Sequence, residues 1–553
     1  MRDLTQTGRR ERRPRAMRRL AVVGAAAGVL IVVAAASATP NYDPPRTIQA
    51  PPADRQAKSD WGERTASAET DCNDDGAIDV YVAAPFLNGN QGRVYLMSGR
   101  SLTTATPTVI ATYDSPEPQA DARFGFFISV LDDDPASTAD KPNIAIGTDA
   151  QDVGGHVDQG KAWVFPGCTG GARLFALDNP YPQGSANNRA RFGSRLGRAG
   201  DLTGDGKTEV IAGASGNDVP AQSAPGGTPG CGDAAVVAPP CRKDQGQAFI
   251  FDGATGTLIR QLDFPVEDHQ PQGNCQTGCG QFGIAVQGPG DTDGDGKTDQ
   301  LVDAIDYSKG AAVRTGRMYV FKGGSTTGPC QFPKAGLQCE SVRLKIDDPV
   351  PQEAAFFGFQ DVTPLSPGDV NADGKADLYG HGFLQTDTLP SSGQAWVFDG
   401  LTGTKLYDLH DPTPTIGGQF GFAMTKTTYK PTAASTAVDA LYIGEAPHFI
   451  PGTDQNGSTE LFKRSDGTLL EQLPLPVACR QKNGTSLNIG PTLGWTVSAP
   501  GDLDADGLPD YVAGAPHMDV ANQQDRGLVF AFHSKADGPA SPCPPGGTGD
   551  EAP

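Results

Sequence analysis

Aromatic residues are scarce, 7% of a 553-residue chain, and only four are Trp. Charged residues make up 20%, and cations are the smaller part: 44 Lys and Arg against 65 Asp and Glu leave a formal net charge of −21. That deficit excludes a nucleic-acid backbone as partner, which needs clustered Lys and Arg. The imbalance deepens after the first 38 residues, which hold eight Arg and only two acids. A Gly-x-y period is missing, as are long stretches of Ala, Glu, Lys and Leu at helical spacing, so collagen and coiled coil are excluded. Beyond one apolar run, Leu20 to Ala36, no segment is long enough to cross a bilayer. Catalytic fingerprints are also lacking: no G-x-S-x-G elbow, H-E-x-x-H helix, phosphate-binding loop or dinucleotide fingerprint. The sequence gives no positive sign of an enzyme, although a glycosidase-type carboxylate pair stays open.

Turn formers are plentiful, with 71 Gly and 46 Pro. Arg-rich residues 2–19 lead into the apolar run, and Ala36-Ser37-Ala38 offers an A-x-A cleavage site, so residues 1–38 read as an export signal and the product as secreted or cell-surface. Ten Cys fit an oxidising compartment. Cys231/Cys241, Cys275/Cys279 and Cys330/Cys339 suggest loop staples; Cys72/Cys168 and Cys479/Cys543 suggest longer bridges.

A repeat runs the length of the chain. Its first element is an aromatic-Gly pair: Trp61-Gly62, Phe124-Gly125, Phe192-Gly193, Phe282-Gly283, Phe357-Gly358, Phe420-Gly421 and the drifted Leu493-Gly494. A short apolar stretch ending in small residues follows, as in Val80 to Pro85, Val210 to Ala214 and Tyr511 to Pro516. Then comes a Gly and alternating apolar residues, beginning at Gly92, Gly160, Gly246, Gly316, Gly393, Gly457 and Gly527. A fourth segment ends in a proline turn, as in Leu258 to Pro265. β-Branched and aromatic residues between Gly, Pro and Asp are strand signals. Four short strands cannot bury their own faces, but seven such units can pack radially. The predicted fold is therefore all-β, a seven-bladed β-propeller of four-stranded blades over residues 60–535. The last unit lacks its fourth strand. An N-terminal segment, 39–59, contains a replacement at about 46–52, predicted to close the ring. Residues 536–553 form a Pro/Gly-rich tail.

Between the first two elements lie nine-residue acidic loops. Oxygen side chains stand at positions 1, 3, 5 and 9, and Gly stands at 6. The sets are Asp71, Asn73, Asp75, Asp79; Asp201, Thr203, Asp205, Glu209; Asp291, Asp293, Asp295, Asp299; Asp369, Asn371, Asp373, Asp377; and Asp502, Asp504, Asp506, Asp510. Such oxygens can converge on a hard cation, Ca²⁺ above Mg²⁺, which demands a tighter octahedron. An EF-hand is excluded, because position 12 holds no carboxylate. Repeats two and six lack the spacing.

Aromatic-Gly element, acidic loop and Gly-Ala-Pro-like element together resemble the FG-GAP repeats of the integrin α-chain propeller, most closely the secreted stand-alone type of bacteria. The resemblance covers about residues 46–535. It implies Ca²⁺ loops on the lower face and ligand contacts on the upper one. A transmembrane helix and leg domains are not seen, so pairing with a β-chain is not implied.

Long loops on that upper face supply candidate ligand contacts: Asp218, Arg242, Lys243, Asp244 and His269. His381, His448 and His517 end the second strand of the last three repeats. They could form a three-His metal site, or each could simply hydrogen-bond locally. The functional expectation is a secreted, monomeric Ca²⁺-binding module that binds or adheres to an extracellular protein or glycan. The alternatives are a lectin-like propeller and an extracellular hydrolase dependent on His448 or His517.

Overall fold

The computed structural model describes Tyr42 and residues 45–104, 106–131, 141–184, 189–220, 241–242, 244–269, 280–310, 312–324, 338–358, 366–446, 456–476, 479–480, 491–521 and 523–533. Residues 1–38, read from sequence as an export signal, and residues 536–553, read as a tail, lie outside them. Seven antiparallel sheets form a ring of blades, as the recurrence predicts.

The first blade contains Arg64–Ser67, Val80–Ala84, Arg93–Met97 and Val109–Asp114, from axis to rim. The second contains Phe127–Leu131, Asn143–Thr148, Lys161–Pro166 and Phe175–Leu177. The third contains Leu196–Gly200, Glu209–Ala214, Gln247–Phe251 and Leu258–Asp263, and Gln338–Cys339 adds a short parallel edge to it. The fourth contains Phe282–Gly290, Asp299–Ala304, Arg317–Phe321 and Val342–Asp347. The fifth has three described strands, Leu378–Gly382, Gln394–Phe398 and Lys405–Leu409. The sixth contains Phe420–Tyr429, Val438–Glu445, Ser458–Lys463 and Leu469–Pro474. The seventh contains Thr496–Gly501, Asp510–Ala515, Leu528–Phe532 and, from the other end of the chain, Arg46–Ile48. Thr47 pairs with Phe530, and Trp61 Nε1 donates to the Ile48 carbonyl at 3.0 Å. Ring closure thus removes two exposed sheet edges.

One contact explains why Gly recurs just before strand three of the repeat. The aromatic residue of each aromatic-Gly pair donates its backbone N–H to the residue just before the Gly that opens strand three of the preceding blade. Phe124 donates to Gln91, Phe192 to Gln159, and, across the seam, Trp61 to Arg526, at 3.0, 2.8 and 3.2 Å. A Cβ on Gly92 would lie 2.0 Å from the Phe124 carbonyl oxygen, and one on Gly527 2.2 Å from that of Trp61. No side chain fits there, and both Gly adopt φ near +80° besides. The aromatic ring then wedges against strand three of its own blade: Phe282 on Tyr319 and Phe321, Phe357 on Trp396 and Phe398. Trp163 and Trp396 are fully buried packing residues, not exposed sugar platforms.

Innermost strands surround a central cavity lined by Thr65, Ser67, Glu69, Ser129, Arg198 and Ser498, among others. Arg198 and Glu69 form a bidentate pair there, at 2.8 and 2.9 Å. Cys72 and Cys168 form a disulfide that ties the first acidic loop to the second blade. Cys339 and Cys479 are also disulfide-bonded, to partners outside the described side chains. The other four pairings expected from sequence each involve such a side chain. Among the described residues no helix is long and apolar enough to cross a membrane.

Candidate metal centres in the acidic loops

Every strand one runs in the same sense, so all loops joining strands one and two emerge on one face of the ring. Each acidic loop is wound by its own backbone. Position 6 is Gly at φ of 81° to 88° in all five. Position 4 is left-handed too: Asp74, Gly204, Gly294, Ala372 and Ala505 have φ of 59°, 81°, 85°, 61° and 65°. The sequence reading had no sign of this second bend, because only two of the five residues are Gly.

The double bend turns backbone N–H groups inward onto the first carboxylate. Gly76 donates to Asp71 Oδ2 at 2.7 Å, Gly206 to Asp201 at 2.9 Å, Gly296 to Asp291 at 2.7 Å, Gly374 to Asp369 at 2.9 Å and Gly507 to Asp502 at 2.8 Å. Position 5 accepts from position 7 in the same manner: Asp75 from Ala77, Asp205 from Lys207 and Asp506 from Leu508. At Asp71 burial pushes the carboxyl up, but N–H groups from Gly76, Asp75 and neighbouring residues outweigh it and hold the group below its usual range.

Position 9 does more than face the loop. Asp79, Glu209, Asp299, Asp377 and Asp510 are all fully buried. One oxygen accepts from the N–H of position 2: Cys72 to Asp79 at 2.7 Å, Val370 to Asp377 at 2.8 Å, Leu503 to Asp510 at 2.7 Å. The other reaches a Gly just past strand three: Gly99, Gly323 and Gly400 donate to Asp79, Asp299 and Asp377 at 2.8 to 2.9 Å. The fixed ninth carboxylate therefore ties three strands of a blade together. Burial pushes Asp79 up to about 6; burial and the neighbouring Asp504, Asp506 and Asp502 push Asp510 up to about 9.

In four loops three carboxylates converge within 4.8 Å: Asp71, Asp75, Asp79; Asp201, Asp205, Glu209; Asp291, Asp293, Asp295; and Asp502, Asp504, Asp510. The fifth-blade set, Asp369, Asp373 and Asp377, is outside that group; its Asn371 donates to Asp399 at 2.9 Å. Such oxygen-only sets suit a hard divalent cation in a flexible shell. Asn73 and Thr203 complete the pattern at position 3.

In blades one, four and five a residue directly after strand three also faces the loop, and the sequence reading missed it. Ser98 donates to Asp75 at 2.7 Å, Asp399 accepts from Asn371, and Lys322 reaches Asp293 at 2.5 Å and Asp295 at 2.8 Å. Hydrogen bonds that Lys322 donates to Asp293 and Asp295 raise its ammonium above the usual range. The available signal was a residue–Gly pair after strand three: Ser98-Gly99, Lys322-Gly323, Asp399-Gly400.

The candidate ligand contacts are divided. Asp218 is buried and accepts from the Asp244 N–H at 2.9 Å. His269 is buried against Phe264. Arg242 pairs by backbone with Val219; its side chain and Lys243 lie outside the described residues. His448 also lies outside them. His517 meets the expectation of a local hydrogen bond, with Thr492 Oγ1 at 3.0 Å. His381 does not: it is fully buried with neither ring nitrogen hydrogen-bonded, and burial drives it down to about 3. Its ring packs tilted against that of Tyr379, centroids 6.1 Å apart.

Integrin alpha-10 of Homo sapiens is 32% identical to this chain over 184 residues, 31% of the chain and 15% of that protein. Integrin alpha-V of Gallus gallus is 22% identical over 309 residues, 54% of the chain and 25% of that protein. The chain thus matches a quarter or less of the length of these curated relatives. No family model matches. Similarity to integrin α-chains and the seven-bladed ring agree on an integrin-like FG-GAP propeller.

Proposed function

We propose that this integrin-like FG-GAP propeller is an exported Ca²⁺-binding module that recognises an extracellular protein or glycan. The observation that carries the calcium reading is one loop geometry used five times. The first carboxylate is wrapped by the same left-handed residues in all five loops, in the same blade position, and in four of them three carboxylates converge within 4.8 Å. Asp71, Asp201, Asp291, Asp369 and Asp502 would supply the first ligand, and the buried position-9 carboxylate the last. Ca²⁺ would cancel the mutual repulsion of these groups and bind only the folded loops, so its role is stabilisation by mass action. Ligand recognition is assigned to the opposite face, where the strand two-to-three connections vary most in length. Long connections on a rigid scaffold are where binding residues concentrate.

The test is a binding screen. Purified mature chain, loaded with Ca²⁺, is applied to arrays of extracellular-matrix proteins and of glycans. Saturable binding to one class, lost in excess EGTA, is expected. Turnover on polysaccharide or phosphoester panels without retained binding would reject the reading.

A further inference from the structure

One cluster of ligating side chains lies outside the acidic loops, on the opposite face, at the seam where the ring closes. Asp60 and Glu63 lead into the first strand of blade one; His517 follows the second strand of blade seven. A carboxylate oxygen from each acid and a ring nitrogen of His517 lie within 4.8 Å of one another. We propose that Asp60, Glu63 and His517 form a binding site for a divalent transition-metal ion, of which Zn²⁺ is the first candidate.

The three side chains are held in place before any ion binds. Asp60 and Glu63 bracket a tight turn, with the Glu63 N–H donating to the Asp60 carbonyl at 2.9 Å. Fully buried Trp61 anchors that turn to the ring-closing strand. On the other side, Trp495 packs edge-on against the His517 ring, centroids 5.0 Å apart. Thr492 Oγ1 donates to the Pro491 carbonyl at 2.8 Å, so it accepts from His517 Nδ1–H at 3.0 Å. The Nδ1–H tautomer puts the imidazole lone pair on Nε2, the arrangement by which an outer hydroxyl orients a metal-ligating His.

Asp60 supplies the independent sign of a ligand. Its side chain is 9% exposed, yet buried Oδ1 has no hydrogen-bond partner. A buried carboxylate oxygen without a partner is costly. Glu63 and Asp525 add further negative charge around it, against Lys58. Arg64 pairs with Glu63 at 3.3 Å and so serves the other acid. A divalent ion would meet both the charge and the open oxygen. One imidazole among carboxylates favours Zn²⁺, Mn²⁺ or Fe²⁺ over Ca²⁺ and Mg²⁺, which prefer oxygen alone. Ligands from both ends of the chain would make the ion a clasp across the seam, on residues that the acidic loops do not use.

The experiment titrates Zn²⁺ into the purified mature chain with Ca²⁺ in large excess, read by calorimetry and by zinc K-edge absorption. One equivalent is expected, with nitrogen and oxygen ligands, and with an affinity reduced at least tenfold in both His517→Ala and Asp60→Asn. Zn²⁺ should also raise the wild-type melting temperature and leave that of His517→Ala unchanged. Wild type retaining no Zn²⁺ under these conditions overturns the site, whether or not a variant folds. So does undiminished binding by folded His517→Ala. Since Ca²⁺ loading is measured separately, failure here leaves the acidic loops untouched.

Discussion

Blades one, three, four, five and seven turn between strands one and two through a patterned acidic loop; blade six does not, and in blade two that connection lies outside the described residues. Blade six makes the contrast clearest. Its first two strands are ten and eight residues long, and their ladder continues to Tyr429 paired with Val438. Backbone hydrogen bonds there do what buried carboxylates do in the acidic blades. At its tip Lys430 Nζ donates to the Gly507 carbonyl at 2.6 Å, inside the acidic loop of blade seven. In blade two, Lys141, just before the second strand, contacts the Asp71 carbonyl and lies 3.6 Å from Asp74, both in the loop of blade one. Blades two and six, which lack the motif, thus each send an ammonium to the acidic loop next to them. One kind of turn is a closed ladder plus a lysine; the other is a knot of carboxylates whose charge calls for a cation.

Metal removal should separate the two kinds most strongly. Excess EGTA is expected to lower the melting temperature on the order of 10 °C, since each site at saturating Ca²⁺ contributes about 2–3 kcal/mol. Hydrogen exchange should accelerate in the five acidic loops and stay slow in the 420–445 hairpin. Uniform acceleration would erase the distinction.

Asp510→Asn comes next. It removes one ligand and weakens a buried hydrogen-bonded knot, so a loss on the order of 2 kcal/mol and of one Ca²⁺ equivalent is expected from chemical denaturation and metal analysis.

Blade six predicts a pH effect of its own. Burial, with Asp411 nearby, pushes fully buried Glu460 up to about 8, against an ordinary value of 4.5. The folded state therefore holds a proton that the unfolded chain releases. Stability from this group is complete below pH 4.5 and is lost as pH rises through 8. Glu460→Gln should gain on the order of 1 kcal/mol over wild type at pH 9 and nothing at pH 4. Parallel stability curves for the two proteins would reject it.

Lys322 places its ammonium against two carboxylates of the blade-four loop, Asp293 and Asp295, at 2.5 and 2.8 Å. Lys322→Ser copies Ser98 of blade one and should tighten Ca²⁺ binding at that loop about tenfold, seen as one strengthened step in a calcium titration. The smallest effect belongs to Lys430→Met: below about 1 kcal/mol in denaturant melts, shrinking with salt.

Much of the ring could be read from the chain because packing imposes the same residues seven times. The Gly before strand three and the aromatic-Gly pair are two sides of one interblade contact, so their recurrence counts the blades. The acidic spacing was equally plain, since a hard cation leaves little freedom in which positions carry oxygen. Hidden features were those that many residues can satisfy. Left-handed position 4 accepts Asp, Gly or Ala; the residue after strand three is Ser, Lys or Asp. Hidden too were juxtapositions created only by closure, such as Asp60 and Glu63 beside His517, and the parallel strand Gln338–Cys339 on blade three. Asp218 and His269 illustrate the reverse: polar residues in long connections that turned inward to local partners.

Direct metal analysis of the purified mature chain, by equilibrium dialysis against Ca²⁺ with mass-spectrometric counting, bears most closely on the acidic loops. Five bound equivalents are expected, falling to four when Asp502 is replaced by Ala. A chain that retains none, or whose count is unchanged by that substitution, would contradict the assignment of these loops as cation sites.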